Sequence, residues 1–396
     1  MSGLGPAEAR QLPPALARPA VRELGASKVR EVANAGFGMS DIARFWFGES
    51  DQPTPDYLRR AAAEALKAGR TFYTHNHGVE ELRRGLEAYL QGLHDTVVCD
   101  DRLTVTSSGV SALMIAMQAL LDPGDRVVIV TPVWPNVAEI PAILGARVTR
   151  VGLSAREGRW RLDLDRLLEA ITPDTRLVVI NSPGNPTGWI LDHDQRQPIL
   201  DRCRRVGAWL LCDDVYERLT FSEIGPASFL PIAHPDDRLL SANSFSKAWL
   251  MTGWRLGWLV APASLHGDLG KLVEYNTSCA PDFVQAAGII ALKEGEPHVA
   301  RLRAELCARR DELVGRLRNL PGVEATEPQG GMYVLLKLAG ETDSVGLARR
   351  LIAEHGLGLA PGAAFGPEAE GWLRWCIAVE PAKLADGLIR LEVALG

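Results

Sequence analysis

Two kinds of segment alternate along most of this chain. From Asp56 onward, stretches with a helical pattern are separated by short, continuous apolar runs. The runs Leu103 to Thr106, Arg126 to Thr131, Arg147 to Val151, Arg176 to Asn181, Trp209 to Asp213 and Leu239 to Ser244 are each bounded by polar or turn residues. A strand that is apolar throughout must be covered on both faces, and successive parallel strands need a helix-length crossover between them. The pattern therefore predicts an α/β domain with a mainly parallel sheet flanked by helices. Ligands in such sheets sit beyond the carboxyl ends of the strands, so the polar residues closing each run are the ones to inspect.

The texture changes after Pro281. A long helical stretch from Pro297 to Leu317 leads to strands near Met332 to Leu338, Leu357 to Ala360 and Trp372 to Val379, which predicts a smaller α+β domain. At the other end, residues 1 to 20 are rich in Pro and Ala and read as an extended arm lying on a neighbouring surface, with a second subunit as a candidate. Val21 to Ala35 reads as a helix and Asp41 to Phe47 as a short strand. The cluster Gly48 to Pro55 is a turn that starts the next helix at Asp56. The expected division is 1–55 as arm and part of the small domain, 56–290 as the large domain and 291–396 as the small one.

Composition narrows the function without naming it. A chain of 396 residues with 46% hydrophobic and 23% charged positions supports two or more buried cores. A net charge of −6 provides no basic field for nucleic acid or anionic lipid, so neither is expected as a partner and a small molecule is. The six cysteines are scattered with no C-x-x-C pair and read as mostly buried, reduced thiols. No continuous apolar segment opens the chain, so neither a signal peptide nor a membrane span is expected, and a reducing cytoplasm is. G-x-G-x-x-G, Walker and G-x-S-x-G patterns do not occur. His75 and His77 lack a companion Cys/His/Asp cluster, so they read as capping or surface histidines and no metal is expected.

Four strand ends carry candidate chemistry. Leu103 to Thr106 ends in Ser107-Ser108-Gly109-Val110 before an apolar helix, an arrangement that reads first as a well-capped helix and also offers a cradle for an anion such as phosphate. Arg176 to Asn181 runs into Ser182-Pro183-Gly184-Asn185-Pro186-Thr187-Gly188, where prolines and glycines hold Asn185 in one direction. Trp209 to Asp213 ends in two acids, of which Asp213 is placed inside and Asp214 in solvent; a buried Asp213 needs a cationic partner. Finally, Lys247 follows Ser244 and Ser246 in a loop between two apolar runs, with Arg255 after it. Partial desolvation lowers a lysine pKa towards the neutral amine that attacks a carbonyl. Ser244 and Arg255 are possible phosphate donors, while Ser246 is expected to point elsewhere.

As an ordered set these residues resemble the class I/II aminotransferases of the fold-type I pyridoxal-phosphate enzymes, over nearly the whole chain from about Val21. The resemblance implies pyridoxal 5'-phosphate as cofactor and an L-amino acid and a 2-oxo acid as substrates. By that likeness Lys247 is the cofactor-bonding lysine and general acid/base, Asp213 pairs with the pyridine nitrogen, and Tyr216 and Asn185 reach the ring oxygen. Trp134 stacks on the ring; Ser108, Gly109, Val110, Ser244 and Arg255 hold the phosphate. Tyr73 resembles the tyrosine that reaches the phosphate from a partner subunit, which implies a homodimer with shared sites. Arg374 and Asn185 take the substrate α-carboxylate, and Gly48 closes over them.

The chain departs from the pattern at Val110, where members that prefer acidic substrates often carry a lysine, so a strict preference for dicarboxylates is not expected. Ser50 replaces a common proline. A β-lyase or synthase on the same scaffold is the competing enzyme reading. A non-catalytic pyridoxal-phosphate-binding regulator is a further alternative, although no basic segment of helix-turn-helix length precedes Val21.

Overall fold

The computed structural model describes residues 16–221 and 228–396. Seven strands form the larger sheet: β1 (Leu103–Thr106), β2 (Arg126–Thr131), β3 (Arg147–Gly152), β4 (Thr175–Asn181), β5 (Trp209–Asp213), β6 (Leu239–Ser244) and β7 (Gly257–Val260). Their spatial order is β1-β7-β6-β5-β4-β2-β3. β3, β2, β4, β5 and β6 pair in parallel. β7 runs antiparallel to both β6 and β1. The expected mainly parallel sheet is thus present, with one reversed strand. That reversal positions the site. An antiparallel return needs no helical crossover, so the chain leaves β6 through the loop that carries Lys247 and comes straight back, with Gly257 opposite both Ser244 and Thr106.

The alternation of strand side chains sorts the sheet into two cores. Val127, Ile129, Leu177, Val179 and Leu211 face one side, under the helix Gly109–Leu120, and Val128, Val130, Val178, Ile180 and Leu210 face the other. Both faces are dry, which explains why these runs read as uninterrupted apolar sequence. The chain is thus α/β, with its large sheet flanked by helices.

A smaller antiparallel sheet is built from β8 (Val323–Ala325), β9 (Tyr333–Leu338), β10 (Ala360–Pro361) and β11 (Trp372–Cys376) in the order β8-β9-β11-β10. The long helix Glu296–Arg318 turns Leu302, Leu306, Leu313 and Leu317 into the same core, at the spacing of one helix face. Val29, Val32, Phe45 and Trp46 belong to that core as well, so part of the N-terminal region packs with the C-terminal sheet.

Several expected elements are revised. The helix over Val21 to Ala35 is instead two, Pro19–Arg22 and Lys28–Gly36, separated around Gly25; the second starts where Ser27 caps it by accepting from Arg30 N at 3.3 Å. The strand over Asp41 to Phe47 shrinks to Ala43–Arg44, which pairs with Leu357–Gly358. The strand over Leu357 to Ala360 is split because its halves serve different partners, Ala43–Arg44 and β11. The strand over Trp372 to Val379 ends at Cys376. Most of the N-terminal arm falls outside the described residues; within them, Arg18 donates to Ile143 O at 2.6 Å. Three of the six free cysteines, Cys203, Cys212 and Cys376, are buried, fewer than expected. No described helix is long and apolar enough to cross a membrane.

Candidate active site

A cavity of about 600 Å³ opens at the carboxyl ends of β4, β5 and β6. Asn185, Asp213, Ser244 and Lys247 reach it from the large sheet, and Tyr333 and Arg374 from the small one. The strand ends singled out in the sequence therefore converge.

Lys247 Nζ donates to Gly48 O at 2.5 Å. Burial, the largest influence, brings its ammonium down from 10.5 to about 8. Facing the same space, the Asp213 carboxylate is 4% exposed and accepts a single long bond from Val215 N at 3.4 Å. Burial pushes it up to about 7. A buried carboxylate with so little hydrogen bonding is a standing demand for a cation in the cavity.

The expectation that Asp214 is solvated is wrong. Asp214 is as buried as Asp213 and accepts from Ser241 Oγ at 2.6 Å. Its side chain points to the opposite sheet face from Asp213, as neighbours leaving a strand do, and the hydroxyl that satisfies it lies 27 residues away. Ser246 also differs from expectation. It lines the cavity and accepts from Ser244 Oγ at 2.8 Å, because the loop folds Ser246 N back onto the same oxygen.

On the small-sheet side, Arg374 is 3% exposed. One terminal nitrogen donates to Asn185 Oδ1 at 2.9 Å and the other to Trp46 O at 2.5 Å, while Nε is buried with no partner. Its guanidinium lies over the Tyr333 ring at 4.4 Å. Asn185 is steadied in turn by Asn181, whose Oδ1 accepts from Asn185 N at 2.8 Å and whose amide donates to Asp213 O at 3.0 Å. Tyr216 and Tyr333 share a hydroxyl hydrogen bond of 2.7 Å, and burial holds both phenols protonated. Asn181 and Tyr333 were missed in the sequence. The available signals were a polar residue closing β4, and a phenol in an otherwise apolar strand, which needs a polar partner.

The anion cradle is equally defined. Ser108 caps the helix Gly109–Leu120 by accepting from Ser111 N at 3.0 Å, with φ 142° and ψ 165°. Few residues other than glycine adopt such values, and they cost about 1–3 kcal/mol. Arg255 is left-handed at φ 55° and donates to Thr252 O at 2.6 Å. Gly257 makes the close approach possible, since a Cβ there would stand 2.6 Å from Gly109 N and 2.7 Å from Asn243 O. Gly109, Val110, Trp134 and Gly48 all line the cavity. A Cβ on Gly48 would collide with the Tyr333 hydroxyl.

Two residues weighed in the sequence lie outside this cavity. Tyr73 is 87% exposed and lies outside the cavity. His77, expected on the surface, is buried, with Nδ1 2.9 Å from Thr104 Oγ1 and its ring stacked on His266 at 3.7 Å.

Comparison with known proteins decides what this constellation is. The family model for aminotransferase class I and II matches residues 43–391. The chain belongs to the class I and II aminotransferases. It is 34% identical over 372 residues to an aspartate aminotransferase of Pyrococcus horikoshii, covering 93% of this chain and 94% of that one. An arginine–pyruvate transaminase of Pseudomonas aeruginosa is 32% identical, covering 87% and 88%. Among solved structures, a Thermus thermophilus aspartate aminotransferase mutant matches with a TM-score of 0.90 at 30% identity, covering 96% and 99%. The protein is a pyridoxal-phosphate-dependent transaminase that moves amino groups between amino acids and 2-oxo acids, in a family of varied substrates. The site fits that cofactor: an under-bonded carboxylate, a lysine of lowered pKa and a helix N-terminus are the groups a pyridine, an aldehyde and a phosphate require.

Proposed function

We propose that Lys247, Asp213 and Arg374 divide the transamination among them, and that the observation carrying this reading is the buried, under-bonded Asp213 in one cavity with Lys247. Bound pyridoxal phosphate supplies an electron sink for the carbanion left when the substrate Cα loses its proton. Asp213 would pair with the pyridine nitrogen and keep it protonated, and Lys247 would hold the cofactor aldehyde in the resting enzyme. Once freed, its neutral amine would serve as the base that takes the proton from the substrate Cα and as the acid that returns it. Tyr216 and Asn185 would hydrogen-bond the ring oxygen, and Trp134 would cover the ring. The N–H groups of Ser108, Gly109 and Val110, together with Ser244 and Arg255, take the phosphate.

Arg374 and Asn185 orient the α-carboxylate, for which the free Nε of Arg374 is the open donor. Gly48 lies over this part of the site. Tyr73 is too exposed to act within its own chain, which supports a homodimer in which the partner subunit's Tyr73 completes the phosphate site.

The same cavity supports a reading of substrate class. Beyond the lysine it runs between Val110, Leu113 and Met114 on one helix and Ile140 and Ile143 on the next, Pro135–Ile143. Arg30 and Glu139, the charges that line this part, are both exposed and of opposite sign. The wall between the two helices is apolar, which favours amino acids with large uncharged side chains as donors. In a panel of half-reactions followed by cofactor absorbance, leucine, methionine and phenylalanine should react faster than aspartate and glutamate. Faster reaction of the two acids would refute the substrate reading and leave the role assignment standing.

A further inference from the structure

Behind the cavity wall lies a set of buried polar residues that the roles above do not use. Glu217, one residue beyond Tyr216, is 3% exposed. Its Oε1 accepts from Asn243 Nδ2 at 2.5 Å, and its Oε2 stands 3.0 Å from Nε2 of His94, whose side chain is 1% exposed. Asn243 is itself 4% exposed, and its Oδ1 accepts from Ser244 N at 2.7 Å. Three parts of the fold thus meet on one carboxylate: the end of the helix Glu80–His94, the turn after β5 and the end of β6.

The location of those parts gives the contact its meaning. The turn after β5 carries Asp213 and Tyr216, assigned to the pyridine ring. The end of β6 carries Ser244, assigned to the phosphate. A rigid cofactor spans both, so the offset between the two segments sets how well its ends can be satisfied together. Adjacent parallel strands are joined only by backbone hydrogen bonds up to Asp213 and Ala242. Past that point two buried side-chain bonds tie them, Ser241 to Asp214 and Asn243 to Glu217, and the second is the one next to Ser244. A surface ion pair would be explained by solubility alone. Burying a carboxylate and an amide together is unfavourable unless they satisfy each other, as the short Asn243–Glu217 bond does.

We propose that Glu217 is a positioning residue that locks the Asp213–Tyr216 turn to the Asn243–Ser244 strand end through Asn243, with His94 holding the far side of its carboxylate. The proposal rests on the cofactor roles assigned above. Glu217 touches neither cofactor nor substrate and acts by fixing the distance between the groups that do. His94 Nε2 faces the second carboxylate oxygen at 3.0 Å, on the side away from Asn243. Asp214 faces the same buried region, held by Ser241, while Arg218 is turned away to Tyr89 and Glu296.

The test is cofactor affinity of the full-length apoprotein, titrated with pyridoxal phosphate and read by visible absorbance, alongside far-ultraviolet circular dichroism without cofactor. Glu217→Ala and Asn243→Ala should each raise the dissociation constant on the order of tenfold, the size expected when a buried charged hydrogen bond is lost. Their apoprotein dichroism should match the wild type. Glu217→Gln keeps an acceptor for Asn243 and should restore most of the affinity. The double variant should bind no more weakly than either single one, since both break the same tie. If Glu217→Ala does not fold, Asn243→Ala and His94→Gln carry the same comparison. Wild-type affinity in Asn243→Ala, or strictly additive losses in the double variant, would overturn the proposal. A wild-type protein that develops no visible band would instead overturn the cofactor roles themselves.

Discussion

Lys247→Ala is expected to lose the visible absorbance of the lysine-bound cofactor and to reduce amino-group transfer by at least ~10²–10⁴-fold, the usual share of a positioned acid/base. The loss should be larger still, because the same residue bonds the cofactor. Burial brings the Lys247 ammonium down to about 8, so the sign of the pH effect is fixed. The neutral amine is the reactive form, and the rate of cofactor capture by the apoprotein should climb with pH and level off above about 8. An exposed lysine would still be climbing there. Stopped-flow absorbance at several pH values measures this directly, and a wild-type rate in Lys247→Ala would remove the lysine from the mechanism.

Asp213→Ala ranks next. Removing one partner of a buried charged pair costs roughly 3–5 kcal/mol, on the order of 10²- to 10⁴-fold in the step that needs the protonated ring. Burial places the carboxyl near 7 even with the Lys247 charge nearby, and a pyridinium neighbour pulls it down further. Below that value Asp213 must release a proton before it can pair, so cofactor affinity should weaken as pH falls beneath about 7 in the wild type. The dependence should vanish in Asp213→Ala. Titrations at pH 6 and pH 8 with both proteins provide the comparison, and an unchanged wild-type affinity at the two values would contradict the pairing.

The sequence made visible those features that depend on neighbours along the chain. Apolar runs closed by polar residues marked β1, β2 and β4 to β6, because a strand dry on both faces has no polar alternation to hide it. Lys247, Asp213 and Asn185 were legible since each sits where such a run stops. What escaped is set by contacts between distant segments. Asp214 looked solvated because its partner, Ser241, belongs to the next strand. Tyr333 looked like core, and only the fold brings its hydroxyl to Tyr216, 117 positions away. The carbonyl of Gly48 meets Lys247 across 199 residues. No local pattern encodes such a distance. The two-residue strands were misjudged for a related reason: Leu357 to Ala360 is one apolar run that tertiary pairing divides between two partners.

The relay through Glu217 extends the same lesson. His94, Glu217 and Asn243 lie on three separate segments of the chain, yet all three are buried together. Their alignment behind Tyr216 and Ser244 links the quality of cofactor binding to residues that never touch it.

The most direct test of the central claim is a single turnover of the cofactor-loaded enzyme with an uncharged L-amino acid and no 2-oxo acid. The constellation of Lys247, Asp213 and Arg374 predicts one equivalent of the matching 2-oxo acid per site, no ammonia, and recovery of the starting absorbance when a second 2-oxo acid is added. Release of ammonia, or the same turnover in Lys247→Ala, would contradict it.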